Sequence, residues 1–260
     1  MDKAQKIILL SLIIISAINW VILEDQSDMK ESMMTSDPVT ILLFTATWIA
    51  GMGAMMLPAI SPMVLLYNKL IKTNNGESEI SGDYSIQMVL FVGSYLAVWA
   101  LTGIVLFFGW SFLNANFFME IEKREMGIVY GIVLIIAGAY QFSSLKNKCL
   151  GYCESPASFF MRRWKNGSTG AVKMGTFHGL YCLGCCWPYF LVMIALGWMN
   201  LLFMGLFAAI ILGEKIWSKG IWVARIAGIG FIVLGLTSAI LQDGNILLNN
   251  MTYDLKLRSE

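Results

Sequence analysis

The run GTFHGLYCLGCCWPYFLVMIALGW, residues 175–198, contains no charged side chain. Its length and composition read as an α-helix able to cross a bilayer, since about 20 apolar residues at 1.5 Å per residue cover the hydrocarbon core. The run also holds the sole histidine and three of the five cysteines. On a helix, His178, Cys182, Cys185 and Cys186 lie at roughly 0°, 40°, 340° and 80° around the axis, so one face collects them all. An imidazole and thiols are donors that soft and borderline transition metals prefer. The same letters contain Cys182-Leu183-Gly184-Cys185, the C-x-x-C spacing of dithiol redox chemistry. Spacing alone leaves both readings open.

The rest of the chain has the same character. Hydrophobic residues make up 57% of the 260 and charged residues 13%, where soluble domains carry about 25% charged. The formal net charge of +1 offers no basic surface for nucleic acid. Apolar runs at residues 7–23, 39–67, 86–110, 127–145, 199–213 and 221–241 join the run at 175–198 as expected spans. The expected fold is therefore all-α: a polytopic transmembrane bundle of about seven helices, forming one membrane domain over residues 1–260. The first run follows Lys3 and Lys6 and lacks a small-residue cleavage signature, so it reads as an uncleaved signal anchor. Pro58 and Pro62 should kink the second.

Residues 146–174 form the longest and most basic connection and are expected as a cytoplasmic loop. With the N-terminus inside, thirteen lysines and arginines fall on the cytoplasmic side and five outside. That bias predicts an N-in, C-out protein of the plasma membrane. Gly127-x-x-x-Gly131 and Ala224-x-x-x-Gly228 are expected faces of close helix packing.

Several further residues bear on chemistry. Met52, Met55, Met56, Ala59 and Met63 fall on one helical stripe of the second span. Met55 and Met56 share the depth of Cys185 and Cys186, and Met204 reaches a similar level. Thioethers and thiols in one layer favour Cu(I), with zinc more suitable where His178 joins. Methionine and cysteine are also soft apolar residues that fill cores, so packing explains the stripe as well. Cys149 and Cys153, a C-x-x-x-C in the basic loop, can capture a metal before it passes inward, or are simply reduced thiols. Glu214-Lys215 reads as an interfacial charge pair, or Glu214 serves as a hard ligand or as an acceptor orienting His178. No phosphate-binding loop, zinc-protease helix or nucleophile elbow is present, and the second to fifth spans hold no acid to carry a proton.

Residues 48–62 (WIAGMGAMMLPAISP), 149–156 (CLGYCESP), Trp164, Gly167, 178–187 (HGLYCLGCCW), 197–200 (GWMN) and Glu214-Lys215 together resemble a family of integral membrane proteins. That family is known by sequence as predicted metal-binding and has no established activity. The resemblance implies that Met52, Met55, Met56, His178, Cys182, Cys185, Cys186 and Glu214 occupy motif positions.

Three functions follow as expectations. The first is a membrane protein that binds or conducts a transition-metal ion, copper as Cu(I) or alternatively zinc, through a Met/Cys/His layer. The second is a structural or assembly subunit of a membrane complex or a homo-oligomer. The third is a membrane thiol–disulfide oxidoreductase using Cys182 and Cys185; its second dithiol would be Cys149/Cys153, whose cytoplasmic placement counts against it.

Overall fold

The computed structural model describes residues 3–24, 38–74, 81–113, 115–116, 126–196, 201–217 and 219–257. Among the described residues every long element is a helix and no strand occurs: α1 Lys3–Glu24, α2 Pro38–Asn74, α3 Ser81–Leu113, α4 Met126–Tyr140, α5 Ser144–Glu154, α6 Pro156–Arg163, α7 Gly167–Leu196, α8 Leu201–Ile216 and α9 Gly220–Leu257. The all-α architecture matches the expectation, and the described residues form nine helices, several of them too short to be spans, where about seven were expected. By length and composition α1, α2, α3 and α9 can each cross a membrane, and α4 with α5 makes a fifth if that bent pair is one span. At 16 residues α8 is shorter than a full crossing. The 30-residue α7 is long enough to cross as well. It packs against α3, α4, α5 and α8, so much of its surface meets protein and has no need to be apolar all round.

The extra helices arise where a loop was expected. The span read over residues 127–145 stops at Tyr140, and α5 leaves at 64° to α4. Ser143 caps α5 by accepting from the Lys146 backbone N–H at 3.1 Å. Pro156 opens α6, where its missing N–H costs nothing. Gly167, at φ +74, starts α7 in a conformation that favours glycine. The segment 146–174 is thus largely helical. The expected turn at 198–200 lies outside the described residues.

Prolines inside helices leave a carbonyl without its partner four residues back. Each such carbonyl here is met by a hydroxyl. Pro58 frees Ala54 O, which accepts from Ser16 Oγ of α1 at 2.6 Å. Pro62 frees Pro58 O, which accepts from Ser61 Oγ at 2.8 Å. Pro188 frees Gly184 O, which accepts from Tyr140 Oη of α4 at 2.6 Å. Residues 179–188 are therefore continuous helix, and two of the three hydroxyls also tie neighbouring helices together.

Glycines set the closest helix pairs. On α4, Gly131 and Gly138 face Gly235 and Gly228 of α9, and a Cβ at Gly138 would lie 2.6 Å from Gly228 O. The register runs antiparallel with a seven-residue period. Gly131 and Gly228 belong to the expected packing motifs, but their partners on the helix are Gly138 and Gly235. In α7, Gly175 lies against Phe91 O and Gly179 against Tyr95 O of α3, so those two helices run parallel.

Candidate metal centre

The core of the molecule forms around the middle of α7, where Cys182, Cys185 and Cys186 are all fully buried. Cys185 Sγ stands 3.4 Å from Cys186 Sγ and 3.8 Å from Cys153 Sγ of α5. It also donates to Cys182 O at 3.2 Å. Cys182 Sγ lies within hydrogen-bonding reach of that trio and also meets Met56 Sδ of α2 at 4.0 Å, Tyr95 Oη of α3 at 3.2 Å and Lys215 Nζ of α8 at 2.8 Å. Five helices thus meet around sulfur.

Two lysines and one acid share this interior. Lys146 and Glu214 are both fully buried and form an ion pair at 2.8 Å. The same ammonium donates to Cys185 O at 2.8 Å, the carbonyl one turn before Tyr189, where the ring of Pro188 disturbs the helix ladder. Tyr189 Oη donates a very short hydrogen bond to the other Glu214 oxygen. Glu214 is therefore neutralised within its own triad. Lys215 meets sulfur only: Cys182 Sγ, and Met56 Sδ at 4.0 Å. A buried ammonium needs an anion opposite it. Here the complement is a sulfur, which carries negative charge as a thiolate.

The expected site residues do not all come together. Cys153, Cys182, Cys185, Cys186 and Met56 come together. Met52 and Met55 are buried in the same core, beside the cluster. Cys149 is buried on α5 against Gly184, where a Cβ would lie 2.9 Å from its sulfur. His178 stays apart from the sulfur contacts, held between aromatic rings: Tyr95 at 5.6 Å, Phe159 at 5.5 Å and Phe91 at 6.5 Å. Its Nδ1 is buried without a hydrogen-bond partner.

Two expectations need correcting. Glu214 does not orient His178, because Lys146 and Tyr189 occupy its two oxygens. Nor do Glu214 and Lys215 form an interfacial pair with each other: adjacent on a helix, their side chains diverge to separate buried partners. Lys146, Tyr95, Tyr140 and Tyr189 were not read as site residues. The only local signal for them was a lysine two residues after a Ser-Ser helix start.

All five cysteines are free thiols. Among the described residues, no three His, Cys, Asp or Glu donors already stand in coordination geometry. The contacts explain why. Lys215 holds one sulfur, and the Cys185 thiol is turned to Cys153 and to a carbonyl. The donor set itself suits a soft ion. At a metal–sulfur distance of about 2.3 Å, sulfurs sharing one ion stand roughly 3.8–4.0 Å apart, and the Cys153–Cys185 and Cys182–Met56 separations are 3.8 Å and 4.0 Å.

Comparison with known proteins gives one finding. A family model described as a copper chaperone, PpoB2, matches residues 45–238. That region contains every sulfur, lysine and tyrosine of the cluster. No curated protein and no solved structure matches the chain.

Proposed function

This chain belongs to the PpoB2 copper-chaperone family, and from that premise we propose that it is a multi-pass membrane protein holding Cu(I) as cargo on buried sulfurs. The observation that carries the proposal is the convergence of Cys153, Cys185 and Cys186 from α5 and α7, with Cys182 and Met56 beside them. Thiolate and thioether donors select Cu(I). His178 is held by ring contacts with Tyr95, Phe159 and Phe91, and the sulfur donors outnumber this single imidazole, which favours Cu(I) over zinc as the occupant.

The residues act as follows. Lys215 swings off Cys182, exposing the sulfur that it balances in the metal-free protein. Cys182, already the thiolate opposite Lys215, becomes a ligand without losing a proton, and Cys185 becomes a second thiolate ligand as it releases its own. Met56 supplies a neutral thioether and Cys153 a further thiol from the neighbouring helix. Lys146 holds Cys185 O while Tyr140 holds Gly184 O. The backbone carrying the ligands is thereby fixed on both sides of Cys185 before the ion arrives. The incoming monovalent cation takes the place of the ammonium opposite the Cys182 sulfur, so that buried negative charge is never left without a positive partner.

We take the membrane to be the plasma membrane and the N-terminus to be inside. Apolar side chains exposed on α1, α3 and α9, among them Ile7, Val21, Val89, Val105 and Ile226, supply a lipid-facing surface. Lys146 and Lys215 are buried, so the surface bias becomes eleven positive residues against five.

A second reading rests on the same 3.8 Å between Cys153 and Cys185. A modest approach of the two sulfurs would give a disulfide, and with Cys153 inside the core a thiol relay no longer depends on an exposed loop. The deciding experiment is the metal content of anaerobically purified protein offered Cu(I), beside a Cys182→Ser/Cys185→Ser/Cys186→Ser variant, with thiols counted in both. The copper reading expects about one ion per chain, lost in the variant, and five free thiols before loading. An absence of copper together with a reversible Cys153–Cys185 disulfide would replace it with the relay.

A further inference from the structure

The basic end of α6 and the first turns of α7 enclose a cavity of about 240 Å³ lined by Arg162, Arg163, Lys165 and Lys173, with Trp164, Met174 and Phe177. No acidic side chain lines it. Four cations around one small cavity raise its potential strongly, and what they complement is an anion with several oxygens. Arg163 is fixed: it donates to Tyr181 Oη at 3.1 Å and lies over the Phe177 ring at 4.7 Å. Arg162, Lys165 and Lys173 are exposed at the rim.

A second cavity of about 290 Å³ lies on the other side of Trp164 and is apolar, lined by Leu66, Leu70, Ala157, Phe160 and Met161. Trp164 is a wall of both. Its indole N–H donates to Asn166 Oδ1 at 2.6 Å, and its ring packs on Tyr67 and Phe160 at centroid distances of 6.0 Å, so the wall is held in place. Met161, which lines the apolar cavity, is 81% exposed. The chain thus presents a cationic chamber and an apolar one side by side, divided by a tryptophan of the kind found at membrane interfaces.

We propose that these two cavities are one binding site for an anionic phospholipid, with the phosphodiester headgroup among Arg162, Arg163, Lys165 and Lys173 and an acyl chain along Leu66, Leu70 and Met161. A free phosphate satisfies only the cationic half. The paired geometry selects the lipid, because the apolar chamber then has an occupant. Such a lipid pins α6 to α2 and α7 at the edge of the helix bundle, away from the sulfur cluster.

The test reads Trp164 directly. Protein is reconstituted in phosphatidylcholine nanodiscs containing a minor share of phosphatidylglycerol, with bromine on the acyl chains of one lipid or the other. The Trp164 signal is the difference between wild type and Trp164→Phe. Brominated phosphatidylglycerol is expected to quench that signal severalfold more than brominated phosphatidylcholine. Arg162→Gln/Lys165→Gln/Lys173→Gln should level the two, with Cu(I) binding retained as evidence of folding; Lys173→Gln alone should reduce the preference if the triple variant does not fold. Equal quenching by both lipids in wild type, or a preference that survives the substitutions, overturns the proposal. Loss of the preference on adding inorganic phosphate at the same ionic strength would also overturn it, since the pocket would then be a phosphate site.

Discussion

Lys215 Nζ lies 2.8 Å from Cys182 Sγ and 4.0 Å from Met56 Sδ, in the space between two sulfurs where a soft cation would bind. In the proposed copper site the lysine is a placeholder: it fills the position with positive charge while the metal is absent and would leave as the metal arrives.

Replacing the placeholder with a neutral side chain of similar length removes the competitor. Lys215→Met is expected to raise the apparent Cu(I) affinity about tenfold, roughly 1.4 kcal/mol, in competition with a chromophoric Cu(I) chelator. A tenfold fall would show that the lysine assists binding, contrary to this account.

The Lys146–Glu214 pair is shut off from water on both sides. Removing one partner strands the other, so Lys146→Met and Glu214→Gln should each cost about 3–5 kcal/mol of stability. The double variant Lys146→Met/Glu214→Gln should lose less than the sum of the two, since neither charge is then stranded. Thermal unfolding in detergent completes the cycle, and strictly additive losses would argue against the pairing.

How far these features were legible in the sequence depends on how local they are. The apolar runs, the prolines and the cysteine face of α7 are encoded within a few turns, and they were readable. The ion pair joins residues 68 apart, and a lysine beside an apolar run looks like a charge at the membrane edge. The same assumption put Cys153 in a loop. Only the bend after Tyr140, which returns α5 onto α7, brings Cys153 to Cys185. The ring contacts of His178 were illegible for a different reason. It shares a helix face with the cysteines, but the aromatic rings of α3 and α6 surround it first.

Tyr140 and Pro188 should be thermodynamically coupled. Tyr140→Phe leaves Gly184 O, a part-buried carbonyl, without its hydroxyl and is expected to cost about 1 kcal/mol. In a Pro188→Ala background the helix supplies its own N–H, so the same substitution should cost little. An equal penalty in both backgrounds would remove the proposed link between the hydroxyl and the proline.

Glycine substitutions should sort by contact. Gly138→Ala drives a Cβ into the backbone of α9, whereas the space around Gly230 is open. The first should lower the unfolding temperature clearly; the second should leave it unchanged or raise it, since alanine is favoured over glycine in a helix by about 0.5–1 kcal/mol. Similar responses at both positions would contradict the α4–α9 register.

The most direct measurement of the central claim is X-ray absorption at the copper edge on anaerobic protein loaded with one equivalent of Cu(I). The account predicts a copper(I) edge and a first shell of sulfur alone, at about 2.3 Å, retained in His178→Ala and lost in the Cys182/Cys185/Cys186 serine variant. A shell containing nitrogen or oxygen that is unchanged in the serine variant would place the copper elsewhere and contradict it.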